Sequence, residues 1–139
     1  MYLKELLSGM TVSLLENSSE KINPKIESLE YDSRQIQENS IFFAVQGQVT
    51  DGHLYIDQAI KNGAVAIVSE QEMPPNFPQT WIKVSEIRSS MALLADRFYS
   101  SPSASMDLIG ITGTNGKTTT AFLVNSILEQ QGPSILLGT

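Results

Sequence analysis

The run "IFFAVQGQVTDGHLYIDQAIKNGAVAIV", residues 41–68, decides the fold class of this chain. Its two ends, IFFAV (41–45) and AVAIV (64–68), are continuously apolar, as expected of short strands that are covered on both faces. The stretch between them predicts one helix, because its apolar residues lie on one face, Asp51 can act as N-cap and Gly63 can end the helix. A buried strand, a helix and a second buried strand indicate an α/β fold.

Further elements of both kinds lie on either side of this run. IESLEY (26–31) alternates apolar and polar residues like a half-buried strand, and WIKV (81–84) predicts another strand. SEIRSSMALLADRFY (85–99) spaces its apolar residues for one face of a helix, whereas the polar run 16–25 predicts a loop. Strands that alternate with helices in this way predict an α/β sandwich.

A second, shorter part follows a small polar segment, SSPSAS (100–105), which we interpret as a linker. MDLIGIT (106–112) predicts a strand, the next residues a glycine loop, and 117–132 a helix, before SILLGT (134–139) begins another strand. We therefore expect two domains, 1–104 and 105–139. The second has too few elements to enclose a core, so it reads as the truncated start of a larger domain.

Composition excludes several classes of function. The 139 residues include 15 acidic and 9 basic side chains, a net charge of −6, and no basic cluster, so we expect no nucleic-acid partner. The chain has no cysteine, which excludes disulfides and thiolate chemistry. Lys4 and Glu5 interrupt any signal peptide, and no apolar run approaches the roughly 20 residues of a membrane helix. We therefore expect a cytoplasmic protein with no membrane partner.

The glycine loop GITGTNGKTTT (110–120) predicts a phosphate site. A loop between a strand and a helix directs backbone N–H groups and the positive end of the helix dipole at one point. Gly113 and Gly116 permit close approach, Lys117 can reach phosphates, and the hydroxyl of Thr118 can bind Mg²⁺.

Two observations qualify this prediction. Ile111 stands where the usual Walker A pattern requires glycine, so the loop is a shorter variant. An alternative is a plain glycine turn before an ordinary helix, with Lys117 in solvent.

Two other sites also have simple interpretations. Asp32-Ser33-Arg34 can form a turn with an ion pair, and His53, the only histidine, can be a surface or capping residue.

The loop GTNGKTTT (113–120) resembles the ATP loop of the Mur ligases and of their folylpolyglutamate synthetase relatives. Residues 31–70 are similar to the N-terminal domain of two Mur ligase types only, MurE and MurF, which share the succession D-S-R, F-x-A, G, D-G, Q-A and G-A. Thr114 and Asn115 look like the MurE type.

This resemblance implies ATP and Mg²⁺ as cofactors and two sets of site residues. The nucleotide set would be Gly113, Thr114, Asn115, Gly116, Lys117, Thr118 and Thr119, with Lys117 and Thr118 catalytic and Thr118 the metal ligand. The substrate set, which would hold the UDP end of a UDP-MurNAc-peptide, would be Ser33, Gln48, Val49 and Thr50.

The resemblance also implies the reaction. The family forms an amide bond by transferring the γ-phosphoryl group of ATP to the terminal carboxylate of UDP-MurNAc-L-Ala-D-Glu, and the amine of a diamino acid, meso-diaminopimelate or L-lysine, then attacks the acyl phosphate. We expect this chain to be the N-terminal part of such a ligase of peptidoglycan synthesis, monomeric and inactive by itself. The alternatives are a MurF-type ligase, which adds D-Ala-D-Ala, and a non-catalytic module that binds UDP-sugars or phosphate.

Overall fold

The computed structural model describes residues 1–10, 13–15 and 23–138 of the chain. These residues form two compact units, Met1–Pro102 and Ser103–Thr139. Most of the loop predicted at 16–25 lies outside the described residues.

The first unit is built on a five-stranded sheet. Its strands are β1 (Ser13–Leu15), β2 (Ser28–Glu30), β3 (Ser40–Phe43), β4 (Ala64–Ser69) and β5 (Thr80–Lys83), in the spatial order β1-β5-β4-β3-β2. β1 pairs antiparallel with β5, and every other neighbouring pair is parallel. The structure thus confirms the α/β class and the four strands predicted from the apolar runs, while β1 was not foreseen.

In the described part of this unit, three helices accompany the sheet: α1 (Leu3–Leu6), α2 (Ile56–Lys61) and α3 (Ile87–Phe98). The helix predicted between Asp51 and Gly63 begins with a 3-10 turn, Gly52–Tyr55, before it continues as α2. Asp51 is the N-cap, as predicted, since its carboxylate accepts a hydrogen bond from the backbone N–H of His53 at 3.0 Å. This cap sets where the chain leaves the loop after β3.

Apolar side chains on both faces of the sheet form two cores, because successive residues of a strand point to opposite faces. On the face toward α1 and α3, Ile41 and Phe43 pack with Leu94 of α3. On the opposite face, Phe42 packs with Ala59 of α2. The four residues of β3 are all buried, which explains why this strand reads as a continuous apolar run.

The second unit contains a helix, α4 (Lys117–Leu128), as predicted. The strands predicted at 106–112 and 134–139 are not present in the described residues of these segments. A strand requires a neighbouring strand to accept and donate its backbone hydrogen bonds, and the described part of this unit offers none. The predicted strand, loop, helix and strand are therefore represented by the loop and the helix alone.

Candidate functional site

Two loops at one edge of the sheet contain all four predicted substrate residues. The parallel strands β2 and β3 end at Glu30 and Phe43, and the loops that follow them contain Ser33 and residues 48–50 respectively. In open α/β sheets, ligands bind beyond the carboxyl ends of the strands. The structure therefore places the substrate candidates at the edge of the sheet where this rule expects a site.

Ser33 is the buried member of this set, with 6% of its surface exposed. Its hydroxyl donates a hydrogen bond to Oε1 of Gln58 at 3.3 Å, and its carbonyl accepts one from the side-chain amide of Asn62 at 2.9 Å. Gln58 lies in α2 and Asn62 follows its last residue, so the loop after β2 is fastened to that helix. Sequence reasoning missed both amides, although their spacing of four residues places them on one side of a helix.

The residues on either side of Ser33 form the turn and ion pair of the simpler interpretation. Nη2 of Arg34 lies 2.6 Å from Oδ2 of Asp32, and the backbone N–H of Arg34 donates to the same carboxylate at 3.0 Å. These bonds, the side-chain one first, lower the pKa of Asp32 to about 2. The turn interpretation is correct, and it is compatible with a binding role because it holds Ser33 against α2.

The loop after β3 closes on itself between Gln46 and Asp51, which form an isolated antiparallel bridge. We call residues 46–51 loop 46–51. The backbone N–H of Gly47 donates to the carbonyl of Thr50 at 2.9 Å, so Gln48 and Val49 lie at an exposed tip. A narrow hairpin of this kind presents backbone groups to a ligand as well as side chains.

Tyr55 contacts loop 46–51, since its hydroxyl lies 3.2 Å from Oγ1 of Thr50. Ser33 and loop 46–51 thus both lie against the segment formed by the 3-10 turn and α2. Sequence reasoning did not single out this tyrosine.

His53 has more contacts than the capping or surface role expected for it. Only 15% of its side chain is exposed. Nδ1 lies 2.6 Å from Oδ1 of Asp51, and Nε2 lies 2.8 Å from Oγ of Ser69, at the end of β4. The N-cap is Asp51, which accepts the backbone N–H of His53, and the ring of His53 connects loop 46–51 to the sheet.

A cleft of about 380 Å³ opens beside loop 46–51. Its walls are residues 45–48, Glu70 after β4, and residues 86–88 at the start of α3. Glu70 accepts a hydrogen bond from the backbone N–H of Ile87 at 2.8 Å, and Glu86 accepts from the next two N–H groups of α3. Two carboxylates therefore already occupy the start of this helix, which makes the cleft unfavourable for an anion at that point.

In the second unit, the predicted nucleotide residues 113–119 lie together at the start of α4 and are exposed. Gly116 is the N-cap in a left-handed conformation, φ 76°, with no side chain capping the helix. The first backbone bond within the helix runs from Thr120 to Gly116 at 2.9 Å, which leaves the N–H groups of 117–119 available to an anion.

Lys117 already lies over this loop, because its Nζ donates a hydrogen bond to the carbonyl of Gly113 at 2.6 Å. A Cβ added at Gly116 would have no atom within 4 Å, so open space lies above the loop. An uncapped helix start, a nearby ammonium group and an exposed threonine hydroxyl at Thr118 fit a phosphate with a divalent cation. No group of three or more potential metal-ligating side chains occurs among the described residues, so protein ligands alone do not define a metal centre there.

A mostly parallel sheet with helices on both faces, with candidate residues beyond the carboxyl ends of its strands, defines an α/β class of protein. The family model described as "Mur ligase family, catalytic domain" matches residues 25–99. The chain belongs to the Mur ligase family. The matched residues lie within the first unit and do not include the glycine loop.

Curated relatives agree with this family. The chain is 47% identical over 121 residues to the UDP-N-acetylmuramoyl-L-alanyl-D-glutamate--2,6-diaminopimelate ligase of Alkaliphilus metalliredigens, covering 86% of this chain and 24% of the relative. It is 43% identical to the protein of the same name from Clostridium tetani, covering 100% of this chain and 29% of the relative. The chain thus spans about a quarter of the length of these relatives.

Solved structures show the same fold. MurF from Acinetobacter baumannii superposes with a TM-score of 0.68 at 24% identity, over 94% of this chain and 28% of that chain. MurF ligase from Thermotoga maritima, solved in complex with ADP, gives a TM-score of 0.56 at 29% identity, over 75% of this chain and 23% of that chain.

Within the described residues, no helix has the length and apolar character needed to cross a membrane.

Proposed function

We propose that this chain supplies the substrate-holding domain and the first phosphate-binding loop of an ATP-dependent ligase, which adds a diamino acid to UDP-MurNAc-L-Ala-D-Glu during peptidoglycan synthesis. The curated relatives are named for adding 2,6-diaminopimelate, which favours this reaction over D-Ala-D-Ala addition and over a non-catalytic module. Because the chain spans about a quarter of those relatives, we expect these 139 residues by themselves to bind ligands without turnover.

One observation supports the substrate role most directly: the loops after β2 and β3 are both fastened to the segment that contains Tyr55 and α2. The hydroxyl proton of Ser33 is directed to Gln58, so the Ser33 oxygen keeps a free lone pair that can accept a hydrogen bond from a ligand. The hairpin at Gln48 and Val49 offers exposed backbone groups. We assign Ser33 and residues 48–50 to the UDP end of the substrate.

The nucleotide role falls to the start of α4. ATP, when bound, would supply the phosphoryl group that activates the substrate carboxylate for attack by an amine. The free N–H groups of 117–119 would bind phosphate oxygens, and Lys117 would exchange the carbonyl of Gly113 for a phosphate. The hydroxyl of Thr118 would hold Mg²⁺. These residues bind and align charge, which is the main protein contribution to phosphoryl transfer.

Domain assignment, monomeric state and location complete the proposal. We assign 1–104 to substrate binding and 105–139 to the start of the ATP-binding domain, close to the observed division after Pro102. We predict that the protein is a monomer. We also predict that it works in the cytoplasm, where UDP-linked precursors and ATP are found.

Calorimetric titration of the 139-residue chain tests the substrate role. We expect UDP-MurNAc-L-Ala-D-Glu and UDP to bind, and Ser33→Ala to weaken both by about three- to tenfold, because one hydrogen bond contributes about 0.5–1.5 kcal/mol. Ser103→Ala, an exposed serine of the second unit, is the matched control. Wild-type chain that binds neither UDP ligand would refute the substrate assignment.

The nucleotide role requires a separate titration with Mg-ATP. Lys117→Ala should weaken binding by about tenfold or more, because hydrogen bonds to charged groups contribute about 1.5–3 kcal/mol. Lys61→Ala removes an exposed lysine from α2 and should leave ATP affinity unchanged. Equal ATP affinity in the Lys117 variant and in wild type would contradict the role given to this lysine.

A further inference from the structure

We propose that His53 is a positioning residue that holds loop 46–51 against the end of β4, because its imidazole donates a hydrogen bond to Asp51 and accepts one from Ser69. The effect on ligand binding rests on the proposed function, since loop 46–51 carries three of the assigned substrate residues. The geometry of the contacts does not depend on it.

The hydrogen-bond partners define which nitrogen of the ring carries the proton. The carboxylate of Asp51 can only accept, so Nδ1, 2.6 Å from Oδ1, must donate. Oγ of Ser69 accepts the backbone N–H of Gln71 at 2.9 Å, which leaves its own proton free to be donated to Nε2 at 2.8 Å. Every group is satisfied when the ring is neutral and protonated on Nδ1.

The side chains of Asp51, His53 and Ser69 connect loop 46–51, which is exposed, to β4, which is buried in the sheet. Ser69 is fully buried in β4, and its carbonyl accepts a hydrogen bond from Val84 at 2.9 Å. Asp51 forms the base of loop 46–51, opposite Gln46. The bridge and the Gly47 bond connect the two arms of the loop to each other, whereas the ring of His53 connects the loop to the next strand of the sheet.

An Asp-His-Ser succession also suggests nucleophilic catalysis, and the structure argues against it. Oγ of Ser69 has no exposed surface around it, since the residue is 0% exposed, and it is already engaged by two partners. A nucleophile must reach a substrate atom. The arrangement therefore serves to position the loop.

Nuclear magnetic resonance of the full 139-residue chain provides a direct test, because His53 is the only histidine and its ring resonances need no assignment. We expect long-range nitrogen–proton correlation spectra, recorded at a pH at which the ring is neutral, to show the proton on Nδ1. Ser69→Ala removes the hydroxyl that donates to Nε2, and we expect it to shift the Nε2 resonance while Nδ1 stays protonated, because Asp51 still accepts from Nδ1.

The consequence for the loop is measured in His53→Ala and His53→Gln. We expect the alanine variant to shift the backbone amide resonances of 47–50 and to weaken UDP binding about tenfold, and the glutamine variant to restore part of both because its amide oxygen can accept from Ser69. Ser103→Ala, an exposed serine outside this network, should change neither. A ring protonated on Nε2 in wild type, or loop amides unmoved in the alanine variant, would overturn the proposal.

Two results separate this inference from the proposed function. If wild-type chain fails to bind UDP, the substrate assignment is refuted, while the tautomer and the loop amides still decide whether His53 holds the loop. If UDP binds and His53→Ala binds it equally well, the substrate assignment stands and the positioning role is rejected. Should His53→Ala not fold, the tautomer of wild type and the shift of the Nε2 resonance in Ser69→Ala carry the decision.

Discussion

Gly52 offers a sharp steric test of how loop 46–51 is joined to the sheet. A Cβ at this position would lie 2.8 Å from both the backbone nitrogen and the carbonyl oxygen of Val45, and 3.1 Å from the carbonyl carbon of Ala44. These are main-chain atoms at the end of β3, so no side-chain rotation can make room. The same approach allows the N–H of Gly52 to donate to the carbonyl of Val45 at 2.9 Å.

We therefore expect Gly52→Ala to push residue 52 away from the backbone of Val45 and to break this hydrogen bond. Overpacking costs about 1–3 kcal/mol and a lost hydrogen bond about 1 kcal/mol, so the free energy of unfolding should fall by about 2–4 kcal/mol. For a unit of this size each kcal/mol lowers the Tm by about 4–8 °C, so the change should exceed about 8 °C.

Thermal and urea unfolding measure this effect. Gly132→Ala is the matched control, because a Cβ at that position would meet nothing within 4 Å. We expect the control to unfold within about 0.5 kcal/mol of wild type. If Gly52→Ala is as stable as the control and keeps the amide resonances of loop 46–51, the close approach to Val45 is not a feature of the folded protein.

Three further predictions concern the first unit. Ser40→Ala should lower the free energy of unfolding by about 1–3 kcal/mol, since the buried Ser40 hydroxyl accepts from and donates to the backbone of Gln37; chemical denaturation checks this. Trp81→Ala should lower the free energy of unfolding by about 3–5 kcal/mol, because the side chain is buried, and Trp81→Phe should lower it clearly less. Equal losses in the two variants would count against the packing argument. The lowered pKa of Asp32, about 2, predicts that its pairing with Arg34 is present above the ordinary carboxyl pKa of 3.8 and disappears as pH falls toward 2. Carboxyl resonances should titrate near that value and return to the usual range in Arg34→Gln.

The strands and helices of the first unit could be predicted because each has a local signal. The run from Ile41 to Val45 is apolar at every position since β3 has a core on both faces. Asp51 and Gly63 stand at the two ends of the helical segment and have the chemistry for those positions. β1 escaped prediction because three residues of an edge strand carry no periodic pattern.

The predicted strands on either side of α4 show the opposite limit. MDLIGIT is apolar enough for a strand, yet a strand exists only where another strand pairs with it, and the described part of the second unit provides no partner. Hydrophobicity predicts that a segment will be covered. It does not supply the hydrogen-bond partner that makes the segment a strand.

Amino-acid order was sufficient for the α/β class, the main elements of the first unit, the family resemblance and the candidate residues, since these depend on residue types and spacings along the chain. Folding was needed to bring Ser33 against Gln58, Tyr55 against Thr50, and His53 against Ser69. Those contacts join residues from different strands and loops, and their distances depend on strand order and on how the helix packs on the sheet. Local pattern carries no information about such pairs, because a hydrogen bond across the fold depends on where both partners are placed.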